Sequence, residues 1–235
     1  GGRCRYSSDG GWRVEGEMNL RTVAKEDLGL YVVTDPDLSI GRSHEEVASQ
    51  ALAGGADVIQ LRDKEASTRS LYLAAHRMKA LCDKAGALFI VNDRVDIAMA
   101  VGSGVHLGQD DLPAHVARVI LGPQAILGVS VENAEQAVKA TEDGADYVAI
   151  GPIYEARASK HDAGEPVGVD ALTFLRRHTS LPVVAIGGIK REHIGEVIGS
   201  GADGVAVISA IVSAEDVMDA ALDIKRLITQ ARSGA

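Results

Sequence analysis

The sequence predicts a single (β/α)8 barrel, and three observations lead to this fold class. The tripeptide Gly-Ala-Asp occurs at Gly55, Gly144 and Gly201, each time directly before a short apolar run, and a weaker copy begins at Gly102. The intervals between these glycines are about 40 to 60 residues, enough for two strand–helix units each and so for eight in all. Strand-like and helix-like runs also alternate strictly, which gives a parallel sheet that eight units can close.

The composition is that of one globular domain. The 235 residues suffice for one barrel, and only 3% are aromatic, so we expect a core of Ala, Val, Ile and Leu. A formal net charge of −9 argues against general nucleic-acid binding, which needs a basic surface. Two cysteines without a CxxC spacing indicate a reducing, cytoplasmic setting. No apolar run approaches the ~20 residues that a membrane span requires.

The first 17 residues are expected to lie outside the barrel. They are rich in Gly, Arg and Ser, show little hydrophobic periodicity and contain the only tryptophan, Trp12. We interpret residues 1–17 as a disordered extension or a cloning remnant, with an ordered N-terminal arm as the alternative. The catalytic barrel domain is then expected to comprise residues 18–235.

Local signals predict the first four strand–helix units. The predicted strands are 28–34, 58–62, 87–91 and 105–107, and the predicted helices are 43–53, 68–85, 95–101 and 113–121. Ser43 and Glu46 have the spacing of a capping box at the first helix, and Gly54 follows its last turn. Pro113 suits the first turn of the fourth helix, and Gly122 ends it.

The second half continues the alternation, with one unusual loop. The predicted strands are 125–129, 147–150, 182–186 and 204–207, and the predicted helices are 133–142, 169–177, 192–198 and 214–231. The loop 151–168 is much longer than a usual strand-to-helix connection. An open doubly wound sheet is the rival fold, and it is disfavoured because no GxGxxG follows the first strand.

Barrel enzymes carry their chemistry on the loops after the strands, so polar residues there are candidates for a site. In the second strand Gln60 and Arg62 share one face, while Ile59 and Leu61 share the other. The apolar face must pack against helices, so Gln60 and Arg62 are predicted to point into the barrel. A buried guanidinium needs an anion. A ligand anion is one possibility, and an internal arginine–carboxylate pair is the other.

Carboxylates follow the next two strands. Asp93 comes after the third strand, and Asp110 and Asp111 come after the fourth. Neighbouring strand ends lie about 5 Å apart, so these side chains can share one cation. Oxygen ligands without nearby His or Cys favour Mg²⁺. The alternatives are that Asp111 caps the next helix and that Asp93 is a turn residue.

Glycines after the seventh strand predict an anion site. Gly187 and Gly188 allow backbone N–H groups to approach a phosphate, and Ile208 and Ser209 follow the eighth strand on the same side. The long loop adds cations and hydroxyls that can close over an anionic substrate, with a solvated loop as the alternative. These loop residues are Arg157, Ser159, Lys160 and His161.

The remaining histidines and the second cysteine receive no catalytic role. His44, His76 and His193 are predicted to be surface positions on helices, and Cys82 a small core or boundary residue. His106 lies in the fourth strand, where it either packs in the core or faces the barrel interior. No serine–histidine–aspartate order and no zinc spacing is present.

Eight short segments together resemble the thiamine phosphate synthase family. They are LYVVTD (30–35), QLRDK (60–64), NDR (92–94), VHLGQDD (105–111), GVS (128–130), GPIY (151–154), AIGGI (185–189) and ISAI (208–211). They occur in the family's order and extend the resemblance over residues 28–230. The combination of QLRDK, NDR and HLGQDD makes the resemblance specific.

The resemblance implies a TIM barrel that joins two phosphorylated substrates. These are 4-amino-2-methyl-5-hydroxymethylpyrimidine diphosphate and a thiazole phosphate of the hydroxyethylthiazole type, and the products are thiamine phosphate and diphosphate. Asp93 and Asp111 are implied to hold Mg²⁺. The residues implied to bind the pyrimidine diphosphate are Gln60, Leu61, Arg62, Asp63, Lys64 and Asn92, completed by Ser130, Ser159 and Lys160. Those implied to bind the thiazole phosphate are Gly188, Ile208 and Ser209.

The implied chemistry requires no protein nucleophile. The bond between pyrimidine and diphosphate ionises first, and the thiazole nitrogen traps the resulting cation. The protein stabilises the leaving group by electrostatics. The implied catalytic residues are Arg62, Lys64, Lys160 and Ser130. The expected partners are small-molecule substrates, with neither nucleic acid nor membrane, and a homo-oligomer is an open alternative to a monomer.

One stretch departs from the family pattern and keeps two alternatives open. The family has Pro-Thr-x-Thr-Lys after the sixth strand, whereas residues 155–160 read EARASK here, so the thiazole substrate is less well defined. A thiazole tautomerase shares the barrel but tends to lack the complete carboxylate pair. A non-catalytic barrel that binds a thiamine precursor would be expected to lose Arg62, Lys64 or Asp93, which are all present.

Overall fold

A computed structural model gives the architecture of the chain and describes residues 3–6, 12–15, 23–156 and 164–234. Eight parallel strands close into a barrel in chain order, and helices alternate with them, so the predicted (β/α)8 fold is confirmed. The barrel strands are β3 (Leu30–Val33), β4 (Val58–Leu61), β5 (Leu88–Asn92), β6 (Gly104–Leu107), β7 (Leu127–Val131), β8 (Tyr147–Ile150), β9 (Val183–Ile186) and β10 (Gly204–Val207). Two further strands, β1 (Arg3–Tyr6) and β2 (Trp12–Glu15), pair with each other in an antiparallel sheet.

Helices pack around the outside of the barrel. They are α1 (His44–Ala53), α2 (Thr68–Ala85), α3 (Val95–Val101), α4 (Ala114–Leu121), α5 (Ala134–Glu142), α6 (Gly168–Arg176), α7 (Ile194–Gly199), α8 (Ser209–Val212) and α9 (Val217–Ser233), with 3-10 turns at Lys25–Leu28 and Arg191–His193. Within the described ranges, none of them combines the length and the apolar character that a membrane span needs.

Capping explains where two of these helices begin. Ser43 and Glu46 form the predicted capping box of α1: the Glu46 N–H donates to Ser43 Oγ at 3.2 Å, and the Ser43 N–H donates to Glu46 Oε2 at 2.8 Å. At α4 the expectation that Asp111 caps the helix is wrong. Pro113 is the N-cap, and the Asp111 carboxylate accepts the Gly108 N–H at 2.6 Å instead. Asp111 therefore closes the loop after β6.

The last helices of the chain differ most from the sequence prediction. A short helix, α8, follows β10 directly and was not predicted, and the last helix begins at Val217 rather than at Ala214. Asp216 sets that start, because its carboxylate accepts the Asp219 N–H at 2.9 Å. Strand β7 lies two residues further along than expected, since the apolar run 125–131 carries no internal signal for its start.

The Gly-Ala-Asp repeat forms the same anchor at three strand starts. Asp203 Oδ2 accepts the Val183 N–H of the neighbouring strand at 2.9 Å and pairs with Arg176 Nη1 of α6 at 2.9 Å. The glycine two residues earlier has a positive φ in each copy, 90° at Gly55, 87° at Gly144 and 103° at Gly201. The two equivalent anchors are Asp57 with Leu30 and Lys225, and Asp146 with Leu127 and Arg118.

Candidate active site

All eight barrel strands are parallel, so their carboxyl ends meet at one rim. Strands β4, β5, β6 and β7 are consecutive neighbours, and they deliver the predicted polar residues to adjoining positions on this rim. The Gly-Ala-Asp anchors lie at the opposite end of the barrel, where the strands begin. The rim is therefore the candidate site, and the other end is structural.

Arg62 follows β4 and is held by the end of β3. Its N–H donates to Thr34 Oγ1 at 3.3 Å, and its Nη1 donates to Asp35 Oδ2 at 3.2 Å. The Arg62 side chain is only 15% exposed. The internal arginine–carboxylate pair considered from the sequence is thus present. Arg62 also lowers the pKa of Asp93, so its positive charge acts at the rim as well.

The carboxylates of Asp93 and Asp111 interact directly. The pKa of Asp93 is raised to about 6. Burial is the main cause, the hydrogen bond and the negative charge of Asp111 contribute to the rise, and Lys64 and Arg62 oppose it. Two carboxylates brought together in a half-buried position repel each other when both are ionised, and a cation relieves that repulsion.

The backbone at Asp93 adopts an uncommon conformation that brings its carboxylate to this position. Its φ is 61°, and the Arg94 N–H donates to the Asn92 carbonyl at 2.7 Å, which makes a tight γ-turn centred on Asp93. The Asp93 N–H donates to the His106 carbonyl at 2.9 Å and ties the turn to β6. Positive φ in a residue other than glycine is costly and is found preferentially at functional sites.

The two carboxylates are the part of the site that could hold a metal ion. Across residues 23–156 and 164–234, no group of three or more His, Cys, Asp or Glu side chains is arranged to bind one. A cation bound by Asp93 and Asp111 would therefore need water or substrate oxygens as its other ligands. This donor set suits Mg²⁺, which usually keeps several waters and binds through one or two carboxylates.

A chain of hydrogen bonds crosses the barrel interior below the rim. Gln60 Nε2 donates to Tyr31 Oη at 2.6 Å, and Tyr31 Oη lies 2.9 Å from Tyr147 Oη. His106 Nδ1 lies 3.0 Å from Tyr147 Oη, and His106 Nε2 lies 2.9 Å from Ser130 Oγ. Strands β3 and β8 are not neighbours, so the contact between the two tyrosines must pass through the interior. The predicted inward direction of Gln60 is confirmed.

The interior chain was not predicted from the sequence. The sequence leaves two orientations open for His106 and does not single out either tyrosine. Burial raises the pKa of both Tyr31 and Tyr147, so the two phenols stay protonated and act as hydrogen-bond donors. Gly128 supplies the one sequence signal, because a Cβ at this strand position would lie 2.1 Å from the Tyr147 ring.

The predicted phosphate side of the rim is built on close backbone contacts. Gly187 and Gly188 have φ of 96° and 66°. A Cβ at Gly188 would lie 2.6 Å from the backbone of Tyr154, and the Tyr154 N–H donates to the Gly187 carbonyl at 3.0 Å. Glycine is required here for packing against the loop after β8. Ile208 is the N-cap of α8, and Ser209 begins the helix, directly after β10, which pairs with β9.

The other predicted site residues fall into three groups. Leu61 is fully buried on the strand face opposite Gln60, whereas Lys64 is exposed and Asn92 partly exposed at the rim. The Asp63 carboxylate bonds within the protein, to the N–H groups of Glu65 and Ala66 and to His44. Four predicted residues lie outside the described part of the chain, namely Arg157, Ser159, Lys160 and His161.

The prediction that His44 is a surface position is wrong. Its Nδ1 lies 2.9 Å from Thr34 Oγ1, its Nε2 lies 3.2 Å from Asp63 Oδ2, and its side chain is 15% exposed. The helix N-terminus turns this ring toward the ends of β3 and β4. Helical periodicity alone could not reveal the contact, because His44 precedes the amphipathic part of α1.

The chain is similar to a set of proteins with consistent names. Residues 30–211 match the sequence model of a family described as thiamine monophosphate synthase. Thiamine-phosphate synthase from Chloroflexus aurantiacus is 49% identical over 204 residues, which cover 86% of this chain and 94% of that protein. The protein of the same name from Methanocella arvoryzae is 50% identical over 204 residues, with 86% and 96% covered. The solved structure of thiamine phosphate pyrophosphorylase from Pyrococcus furiosus matches with a TM-score of 0.81 and 39% identity, covering 88% of this chain and 98% of that one.

Proposed function

The chain belongs to the thiamine monophosphate synthase family, and from this premise we propose that it joins 4-amino-2-methyl-5-hydroxymethylpyrimidine diphosphate to hydroxyethylthiazole phosphate. The products are thiamine phosphate and diphosphate. The single observation that supports this reaction best is the contact between Asp93 and Asp111, with Arg62 and Lys64 close enough to lower the pKa of Asp93. Paired carboxylates facing cations suit a metal-bound diphosphate.

Asp93 and Asp111 would hold Mg²⁺ in this proposal. Their mutual repulsion and the small number of protein ligands both fit this ion. When bound, Mg²⁺ supplies positive charge that stabilises the diphosphate as it leaves. The turn at Asp93 aims its carboxylate at the shared position, and the Gly108 N–H orients that of Asp111.

Arg62 and Lys64 bind the diphosphate oxygens of the first substrate. Arg62 is fixed by Asp35 and Thr34, so its guanidinium meets the leaving group with little loss of entropy. Lys160 is proposed to add a third cation from the loop after β8. Other residues proposed to bind this substrate are Gln60, Asn92, Ser130 and Ser159, and those proposed for the thiazole phosphate are Gly188, Ile208 and Ser209. The sequence also implied Leu61 and Asp63, but Leu61 is buried on the opposite face of β4 and the Asp63 carboxylate bonds to His44, Glu65 and Ala66, so neither side chain is kept as a ligand.

The reaction is a substitution at the methylene carbon of the pyrimidine. The bond from this carbon to the diphosphate oxygen breaks, and both electrons leave with the oxygen. The lone pair of the thiazole nitrogen then forms the new carbon–nitrogen bond. No protein nucleophile takes part, so the contribution of the protein is charge stabilisation of the leaving group and alignment of the two substrates.

The carboxylate pair also separates this reaction from the thiazole tautomerase alternative, which has no diphosphate to bind. The stretch EARASK at residues 155–160 is the one feature that favours a non-catalytic barrel for a thiamine precursor. Such a barrel would bind its ligand without consuming it. Product formation therefore distinguishes the three possibilities.

The test measures diphosphate and thiamine phosphate with each substrate alone and with both, in Mg²⁺ and in excess chelator. We expect both products only with both substrates and Mg²⁺. Asp93→Asn should lower the rate by about 100-fold or more. Asparagine is chosen because it tolerates the positive φ of this residue.

Asp96→Asn is the matched control, since Asp96 is an exposed aspartate on α3 that pairs with Arg94. It should leave the rate within about twofold. Full activity in chelator, or in Asp93→Asn, would contradict the metal role. Failure of the wild-type protein to form thiamine phosphate from the two substrates would contradict the proposed reaction.

A further inference from the structure

His44 bridges the ends of two strands that carry the Arg62 region. It is the first residue of α1, and its ring lies between Thr34, which follows β3, and Asp63, which follows β4. Thr34 is fully buried, and the side chains of His44 and Asp63 are 15% and 17% exposed. A ring held from both sides in a largely buried position has little freedom to move.

One assignment of the hydrogen bonds around His44 satisfies all of its neighbours. Thr34 Oγ1 accepts the Arg62 N–H at 3.3 Å, so the Thr34 hydroxyl hydrogen is available for His44 Nδ1 at 2.9 Å. With Nδ1 as the acceptor, a neutral ring carries its hydrogen on Nε2. Asp63 Oδ2 then accepts that hydrogen at 3.2 Å. In this assignment the ring has a hydrogen-bond partner on each of its two nitrogens.

Asp63 in turn holds the backbone of the segment around it. Its other oxygen, Oδ1, accepts the N–H groups of Glu65 at 3.1 Å and Ala66 at 2.9 Å, which forms a turn around Lys64. Arg62 and Lys64 are the residues on either side of Asp63. Both are close enough to Asp93 to lower its pKa. A contact that fixes Asp63 therefore fixes two cations at the rim.

We propose that His44 is a positioning residue for the binding of the pyrimidine diphosphate. It acts through Asp63, and Asp63 acts by shaping the segment 62–64 rather than by touching the substrate. This inference rests on the proposed function, because it requires that Arg62 and Lys64 bind the diphosphate. The proposal predicts that substitution of His44 raises the KM for the pyrimidine diphosphate only, since the thiazole phosphate is proposed to bind on the side of β9 and β10.

Two substitutions of similar polarity separate the two contacts of the ring. His44→Gln places an amide nitrogen near the position of Nε2 and retains a donor to Asp63. His44→Asn reaches only the position of Nδ1, so it retains a contact with Thr34 and loses Asp63. Loss of a hydrogen bond to a charged group corresponds to about tenfold in binding. We expect His44→Asn to raise the KM for the pyrimidine diphosphate by about tenfold and His44→Gln by less than about threefold.

The KM for the thiazole phosphate, measured at saturating pyrimidine diphosphate, should stay within about twofold in both variants. In the Asp63→Ala background, His44→Asn should add nothing to the KM defect, because His44 acts only through Asp63. His115→Asn is the matched control. His115 is an exposed histidine on α4, 3.8 Å from the carboxylate of Asp143, and its substitution should leave both KM values unchanged.

Each other result counts against the positioning role. An unchanged KM in His44→Asn overturns it, as does an equal defect in His44→Gln and His44→Asn. A parallel rise of both KM values together with a lower urea midpoint would indicate a purely structural residue and would also overturn it. An inactive wild-type protein contradicts the proposed function instead, so the two failures are distinguishable.

Discussion

Arg62 and Asp35 form an ion pair across the ends of β4 and β3, with 3.2 Å between Nη1 and Oδ2. Asp35 is itself fixed, because its Oδ1 accepts the N–H groups of Asp37 and Leu38. A guanidinium has five N–H donors, so one bond to Asp35 uses only part of them. The internal pair and a ligand-binding role, which the sequence presented as alternatives, are therefore compatible in one side chain.

We first predict that charge alone cannot replace Arg62. Arg62→Lys keeps the positive charge but cannot contact Asp35 and a phosphate oxygen together, so we expect kcat/KM to fall by about 10- to 100-fold. Arg62→Gln should also leave Asp35 without its cation and lower the free energy of unfolding by about 1 to 3 kcal/mol. Steady-state kinetics and urea unfolding measure the two effects. Equal kcat/KM in Arg62→Lys and the wild type would contradict the prediction.

The second prediction concerns stability at the carboxylate pair. The pKa of Asp93 is about 6 in the folded chain, against an ordinary value of 3.8. Between these pH values the folded protein keeps a proton on Asp93 that the unfolded chain releases. The contribution of this proton to stability is fully present below pH 3.8 and is lost as the pH rises through about 6. Asparagine does not ionise, so Asp93→Asn removes this loss of stability at high pH. We expect the variant to have a free energy of unfolding about 1 kcal/mol higher than the wild type at pH 7.5, after solvent screening.

Urea unfolding of the metal-free protein at pH 5 and pH 7.5 measures this effect. The variant should gain stability over the wild type mainly at the higher pH. Asp96→Asn, at an exposed carboxylate whose pKa is lowered by Arg94, should show no such gain. A variant less stable than the wild type at pH 7.5 would mean that the repulsion at Asp93 is relieved within the protein.

Local signals in the sequence predicted much of the fold but only part of the site. The bounds of α2 and α3 and the capping box at Ser43 were correct, because each depends on residues close together in the chain. The convergence of Asp93 and Asp111 was also predictable, since adjacent parallel strands end at one rim. The contact between Tyr31 and Tyr147 was not, because it joins residues 116 positions apart through the barrel interior. The contacts of His44 were missed for another reason: they join the start of α1 to the ends of β3 and β4, and helical periodicity carries no signal for them.

The third prediction tests the interior chain. Tyr147→Phe removes the hydroxyl that links Tyr31 to His106 and leaves polar groups in the barrel without their partner. We expect the free energy of unfolding to fall by about 1 to 3 kcal/mol. The hydrogen bond from His106 to Ser130 should also lose its fixed direction, so the KM for the pyrimidine diphosphate should rise by about threefold or more.

Tyr72→Phe is the control for this substitution, because Tyr72 is exposed on α2. It should change neither the unfolding free energy by more than about 0.5 kcal/mol nor either KM. If Tyr147→Phe were as stable and as active as the wild type, water would have to satisfy the interior groups. The interior chain of hydrogen bonds would then have no role in placing Ser130.

The last prediction separates the two ends of the barrel. Asp203 binds the Val183 N–H and Arg176 with its Oδ2, and its side chain is 12% exposed. Asp203→Asn removes the charge that both donors face, so we expect the free energy of unfolding to fall by about 2 to 3 kcal/mol. Both KM values should remain within about twofold, because the strands begin at the end opposite the rim.

Asp223→Asn provides the comparison at a more exposed pair, since Asp223 is 24% exposed and its partners Arg191 and Arg226 are exposed. Its effect on unfolding should stay below about 1 kcal/mol. Urea midpoints and steady-state kinetics on the same preparations measure both variants. A large rise of KM in Asp203→Asn would mean that the strand-start anchors transmit strain along β9 to Gly187, and the two ends of the barrel would then not be independent.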